Sequence, residues 1–289
     1  MSVFQLKPDM TVGVFAPSSY IEKDDILRAS SILEKRGVNV SIHPQTYERQ
    51  NQSAGTHAQK LDALHSLYED QDIDAIWAAG GGNRALHLLA DIGFEVIKDN
   101  PKPLIGFSDV TALLNSISVR ADISNIHAPV FKHLHQHDRE LDHLMNLKTD
   151  FQWDHNDVLK QGSAEGCLFG GNLSVFQYLP TFLGLDFLEG CILFLEDCNE
   201  ELSRVDRMLC YLKHAGVFER ISGLVLGDFS NLLDSSRPFG FSYKEIVLEH
   251  LNGCDIPVIM NVPFGHTQVN MPLHLGHRYR LTNRILEIF

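Results

Sequence analysis

The 289-residue chain is 44% hydrophobic and 21% charged, with a formal net charge of -13. This is the composition of a soluble globular protein with room for one large or two ordinary domains. The acidic balance argues against nucleic acid or an anionic membrane as partner, because either would require a basic face. No uninterrupted apolar run spans a bilayer, and Met1-Ser2-Val3-Phe4-Gln5-Leu6-Lys7 lacks the basic-then-apolar order of a signal peptide. Five scattered cysteines (Cys167, Cys191, Cys198, Cys210 and Cys254), with no C-x-x-C pair, read as reduced thiols of a cytoplasmic protein.

Thr11 to Ala16 reads as a short buried strand, Ile26 to Lys35 as a helix and Val38 to Ile42 as a strand. Leu61 to Tyr68 has helical spacing. Ile73 to Ala78 is a third strand, followed by a glycine turn and a helix from Arg84 to Ala90. The run Pro103-Leu104-Ile105 is a fourth strand, and Thr111-Ala112-Leu113-Leu114 opens a further helix. Strand and helix alternating at this spacing predict an α/β fold with a parallel sheet covered on both faces. Such sheets bind ligands at the carboxyl ends of their strands. Both Gly80-Gly81-Gly82 and Ser108 fall at such ends.

The polar stretch from Lys132 to Lys160 reads as a linker with one helix through Leu141 to Leu147. The expected division is therefore an N-terminal domain over 1–132, a linker over 133–160 and a C-terminal domain over 161–289. In the last part, Cys191 to Leu195, Gly223 to Gly227, Val258 to Met260 and Tyr279 to Ile288 are strand candidates. Ser203 to His214 is a helix.

Ser108 sits in Gly106-Phe107-Ser108-Asp109, where a strand turns into a helix. That turn presents a hydroxyl outward beside free backbone N–H groups, as a nucleophilic serine requires. A helix cap is the other reading of the same residue. A serine nucleophile needs a base, and the base an orienting acid. Glu196, directly after Leu195, and His266, in a glycine turn after Met260, are candidates at strand ends. Gly80-Gly81-Gly82-Asn83 offers amides either to an oxyanion or to a phosphate. The second use leaves open a glycine-loop nucleotide-binding kinase, although no Walker or dinucleotide motif is present. His127, His133, His135, His137 and His143 raise a metal site, but without an H-E-x-x-H frame they read as a solvated polar linker.

Six segments in order resemble the LD-carboxypeptidase family of serine peptidases, which includes the microcin-C immunity peptidases. They are Val14-Phe15-Ala16-Pro17-Ser18-Ser19, Ala75 to Gly82, Gly106 to Thr111, Gly170-Gly171-Asn172-Leu173, Leu195-Glu196-Asp197 with Glu200, Arg204 and Asp206-Arg207, and Phe264-Gly265-His266 with Pro272 and Leu275-Gly276. The resemblance implies a flavodoxin-like N-terminal domain and a C-terminal swivelling β/α barrel, with substrate held in a cleft between them. It implies a triad of Ser108, His266 and Glu196, and an oxyanion hole from the N–H groups of Gly81 and Asp109. It further implies a cytoplasmic homodimer with no metal or other cofactor, acting on a small peptide. The expected reaction is release of a terminal D-amino acid from murein peptide. Cleavage of a microcin-C-like peptidyl-nucleotide is the alternative within the family.

The chain departs from the family pattern where substrate is expected. Gly80 stands in place of an arginine, Asn83-Arg84 in place of Tyr-Gly, and Ser203 in place of a tyrosine before Arg204. Leu179-Pro180-Thr181 replaces a Gly-Thr. Gly82, Asn83, Arg84 and Arg204 are therefore the candidates for substrate binding, with Arg84 or Arg204 supplying the missing cation.

Overall fold

The computed structural model describes residues 3–147, 150–153 and 157–289. They form two compact units, Met1–Thr149 with Asn270–Gly276, and Asp150–Val269 with His277–Phe289.

The first unit is built on β1 (Thr11–Phe15), β2 (Asn39–Ile42), β3 (Ala75–Ala78), β4 (Leu104–Gly106) and β5 (Ile126–His127). These strands pair in parallel in the order β5-β4-β3-β1-β2. Helices α1 (Lys23–Lys35), α2 (His57–Glu69), α3 (Phe94–Asp99) and α4 (Thr111–Ala121) lie between them in the chain. The α1 helix buries Ile26, Ala29, Ser30 and Leu33, the spacing of a single helical stripe. The α2 helix starts at a capping box in which Thr56 and Gln59 satisfy each other's backbone N–H groups. Trp77 on β3 is fully buried, stacks edge-on against Phe131 and donates its indole N–H to the Pro129 carbonyl at 2.9 Å. This satisfied polar tip is what allows so large a ring into the core.

Residues 84–90 form a six-residue 3₁₀ helix over Ala85–Ala90 where an α-helix is expected. It starts from Arg84 in a left-handed conformation with no side-chain cap and ends at Ala90, three residues before Gly93, so a regular α-helix is never established. The stretch expected as a linker, 133–160, carries regular structure. It holds a 3₁₀ turn through Gln136, α5 (Asp138–Asn146), β6 (Asp150–Gln152) and β7 (Val158–Lys160).

The second unit carries an eight-stranded mixed sheet that curls into a half-barrel. Its parallel centre is β8 (Ala164–Asn172), β9 (Ile192–Cys198), β10 (Gly223–Ser230) and β11 (Val258–Ile259). After β8 come two short helices, α6 (Leu173–Phe176) and α7 (Leu179–Leu183). The helices α8 (Leu202–His214) and α9 (Tyr243–His250) follow β9 and β10. The chain then returns to the first unit as β12 (Leu273–His274), antiparallel to β5. It re-enters the second unit as β13 (Arg278–Leu281) and β14 (Ile285–Ile288). The single strand expected over 279–288 is thus a hairpin, because Thr282-Asn283-Arg284 supplies a polar turn closed by the Thr282 N–H on the Ile285 carbonyl at 2.9 Å. Among the described residues no helix is long and apolar enough to cross a membrane.

Candidate active site

Ser108 follows the last residue of β4 by two positions and is half-buried. Its φ is 64°, left-handed backbone that costs a non-glycine residue about 1–2 kcal/mol. The capping reading does not hold. The α4 helix is capped from Val110 and the preceding 3₁₀ turn from Phe107, neither with a side-chain cap bond. The strained turn instead carries the serine hydroxyl at the strand-to-helix corner.

The glycine loop after β3 lies against this turn. A Cβ built on Gly81 would stand 3.0 Å from the Ser108 Cβ and 3.1 Å from its Oγ, with the Asp109 backbone N at 3.8 Å. Only a residue without a side chain leaves the hydroxyl that clearance. Gly82 has φ 127°, and a Cβ there would overlap the Ser19 hydroxyl, so both space and backbone demand glycine. Gly80 is covered by the Ile21 methyl group, which lies where a side chain at position 80 would begin.

Asp109 holds the arrangement together with its side chain as well as its place in the turn. Its buried carboxylate accepts from Ser18 Oγ at 2.6 Å and from the Ala85 N–H at 2.8 Å. Three segments, after β1, β3 and β4, are thereby tied at one point. Lys60 extends the network by donating to the Ser18 carbonyl at 3.0 Å. It is only 1% exposed. Burial first, and then the charge of Arg84, pull its ammonium down to about 8, against the opposing pull of Asp109. Arg84 itself is exposed and left-handed, at φ 87°, and Gly82 and Asn83 are exposed beside it.

In the second unit, Glu196 lies on β9, fully buried and paired across the ladder with Asn172 of β8. His266 follows the Phe264-Gly265 turn, and its Nδ1 meets Glu196 Oε2 at 2.7 Å. A charge-assisted bond this short fixes the ring and its tautomer, leaving Nε2 as the proton acceptor. Burial opposes protonation of His266. A hydrogen bond with the Cys198 side chain and the charge of Glu196 outweigh burial and hold the imidazole above its ordinary value. Asp197, on the opposite face of β9, accepts from Asn172 Nδ2 at 3.0 Å and from the N–H groups of Ser174 and Cys198, each at 2.8 Å. Burial, then Glu196, push its carboxyl up to about 6. Arg204 on α8 is held by Glu200 at 3.0 Å, one turn away.

Of the expected site residues, Gly81, Gly82, Asn83, Arg84, Ser108 and Asp109 lie together in the first unit. Glu196, His266 and Arg204 lie in the second. The sequence analysis gave no role to Ser18 and Asp197, which lie in the resembling segments, and did not single out Lys60, because each finds its partners only through the fold. The histidines are not a solvated run. His127 is buried on β5 beside the Phe107 ring, His137 is buried 3.4 Å from Glu140, and burial pushes His133 down to about 4. Among the described residues no three His, Cys, Asp or Glu are grouped to hold a metal ion.

Residues 12–128 match the LD-carboxypeptidase N-terminal domain and residues 165–281 the LD-carboxypeptidase C-terminal domain. A probable murein peptide carboxypeptidase of Bacillus subtilis is 28% identical, over 92% of this chain and 86% of its own. The microcin C7 self-immunity protein MccF of Escherichia coli is 25% identical, over 92% and 88%. The solved muramoyltetrapeptide carboxypeptidase of Oxalobacter formigenes superposes with a TM-score of 0.85 at 26% identity, over 96% of this chain and 98% of its own.

Proposed function

This chain belongs to the LD-carboxypeptidase family and is a serine-type carboxypeptidase, and we propose that Ser108, His266 and Glu196 are its triad and that it releases a terminal D-amino acid from murein peptide. The observation that carries the triad is Ser108 itself, a serine held at φ 64° with a glycine loop against its hydroxyl. In this reading Ser108 Oγ attacks the carbonyl of the scissile amide and His266 Nε2 takes its proton. The backbone N–H groups of Gly81 and Asp109 receive the oxyanion. His266⁺ then protonates the departing amine, and water repeats the sequence to free the acyl enzyme. Glu196 holds the ring and stabilises its charge throughout.

A carboxypeptidase must recognise a free terminal carboxylate. Ile21 occupies the start of the space that an arginine at position 80 would need, so another cation takes that task. Arg84 suits it better than Arg204, whose charge is already engaged by Glu200. The protein works in the cytoplasm as a homodimer, for which light scattering should give twice the chain mass.

The reading is tested by mass spectrometry of products from murein tetrapeptide, its C-terminal amide, and a peptidyl-sulfamoyl adenylate. Release of D-alanine from the free acid but not from the amide is the expected result. Cleavage of the adenylate alone places the chain with the immunity peptidases instead. Acyl transfer by serine draws on no Lewis acid. Activity should therefore survive prolonged dialysis against EDTA, and loss restored by zinc would contradict the mechanism.

A further inference from the structure

The loop that carries His266 is held by β10 as well as by Glu196. Strands β9 and β10 pair in register from Ile192 with Gly223 to Leu195 with Leu226, and pairing resumes at Asp197 with Phe229. Between the last two pairs β10 takes three steps and β9 two. The extra residue falls at Gly227-Asp228, opposite Glu196. A bulge of this kind bends the strand and re-aims a side chain. The His266 loop docks on it. The Val262 N–H donates to the Leu226 carbonyl at 3.1 Å, and the Asp228 N–H to the Phe264 carbonyl at 2.9 Å. Ser230 Oγ donates to the His266 carbonyl at 3.4 Å. A Cβ on Gly227 would overlap the Phe264 ring, so the docking requires glycine there.

The bulge brings a second carboxylate to the base. A Cβ placed on Gly265 would stand 3.1 Å from the Glu196 Cβ and 3.4 Å from the Asp228 Cβ. The two acids therefore leave adjacent strands against the residue that precedes His266. Asp228 is bonded to Ser230, while its Oδ2 is shut off from solvent with no hydrogen-bond partner among the described residues. Burial pushes this carboxyl up, the Ser230 bond holds it down, Glu196 adds to the rise and His266 offsets it. The ionisable groups facing His266 are thus Glu196 and Cys198 from β9 and Asp228 from β10. Asp228 also faces Tyr243 of α9, whose buried hydroxyl is raised by burial and then by Asp228 and Asp197.

We propose that Asp228 is a positioning residue for His266: set opposite Glu196 by the β10 bulge, it supplies a second negative charge that favours the imidazolium formed when His266 takes the Ser108 proton. The proposal rests on the triad reading. The proton leaves Ser108 Oγ for His266 Nε2, and the positive charge then lies near two carboxylates carried by neighbouring strands. Glu196 sets the ring's orientation through Nδ1. Asp228 acts through charge, while its own backbone N–H holds the loop at the Phe264 carbonyl.

The test follows the His266 ring resonance by NMR across pH in Ser108→Ala protein, with and without Asp228→Asn, where no turnover interferes. Asp228→Asn should lower the His266 pKa by about one pH unit. In the Ser108 enzyme it should move the acid limb of kcat/KM the same distance to lower pH and reduce the plateau kcat about tenfold. Asp228→Glu should keep the limb in place, which a purely structural role for Asp228 does not predict. If Asp228→Asn does not fold, Asp228→Ser gives the same comparison. A His266 titration unmoved by loss of the charge overturns the proposal. Failure of the triad has a different signature: His266→Ala would retain activity, which removes the catalytic use of Asp228 whatever its effect on the resonance.

Discussion

Ser108→Ala protein is expected to fold as the parent does and to lose hydrolysis by on the order of 10⁶-fold, the scale seen when a triad nucleophile is removed. The two expectations come from different atoms of one residue. The fold sees the Ser108 backbone and Cβ, which alanine retains at the same left-handed φ of 64°. The clamp around the turn is the Asp109 carboxylate on Ser18 and Ala85, which the substitution leaves in place. The chemistry needs only Oγ. The residue left behind still faces the Gly81 and Asp109 amides, so a trace of rate over uncatalysed hydrolysis remains. Ser108→Gly separates the two roles further. Glycine adopts φ 64° without the Cβ penalty, so this variant should be inactive and also more stable by about 1 kcal/mol. The relevant measurements are turnover by mass spectrometry and thermal unfolding of both variants. Near-normal turnover by folded Ser108→Ala would sink the serine mechanism. Lowered stability in Ser108→Gly would show that the turn is not strained.

The alternation of strand and helix made most of the first unit readable from β1 to α4, the 3₁₀ helix over Ala85–Ala90 and the short α3 excepted, because the other elements repeat their apolar residues at the period their backbone imposes. Trp77 and Leu104-Ile105 sit in runs with no polar interruption, and a central parallel strand buried on both faces produces that pattern. The corner at Ser108 was readable for a related reason: a glycine, a serine and a helix start in sequence leave few ways to turn. Its strain was not readable, since the turn is held by Gly81 against Ser108 and by the bonds of Asp109 to Ser18 and Ala85, partners remote in the chain. The stretch 133–160 misled because its pattern is dominated by His, Asp and Asn. Leu141 and Leu144 of α5 are nonetheless buried, and so is the polar pair His137 and Glu140, whose Oε1 accepts the Asn270 N–H at 3.0 Å. A buried polar pair has the same composition as a solvated one, and only the partner 130 positions away tells them apart. The return of 270–276 to the first unit is likewise invisible locally, because two residues of β12 carry too little periodicity to announce a sheet. Asp228 escaped notice because a bulge, unlike a strand or helix, has no sequence period at all.

Glu196 and His266 should behave as one unit in both rate and stability. His266→Ala removes the base and should cost about as much as Ser108→Ala. Glu196→Gln leaves a base of uncertain tautomer and should cost on the order of 10⁴-fold, as loss of a triad acid does elsewhere. Combined, the two should cost little more than His266→Ala alone, because an acid that orients an absent ring has nothing left to do. Losses that multiply would place Glu196 on another task, such as contact with the substrate. The stabilities should run the other way. His266→Ala strands a carboxylate that is 0% exposed, beside Asp197 and Asp228, and should destabilise by about 3 kcal/mol. Adding Glu196→Gln removes that buried charge and should recover part of the loss, although no contact is restored. The pH profile gives the third readout. His266 must be neutral to accept the serine proton, and against burial the hydrogen bond with Cys198 and the pair with Glu196 hold its pKa above the ordinary imidazole value of about 6.5. Activity should therefore rise with pH along an acid limb lying above that value. Glu196→Gln, which takes away the charge favouring the imidazolium, should move the limb to lower pH. A limb that stays in place in Glu196→Gln enzyme would mean that the 2.7 Å bond between His266 and Glu196 does not set the proton affinity of the base.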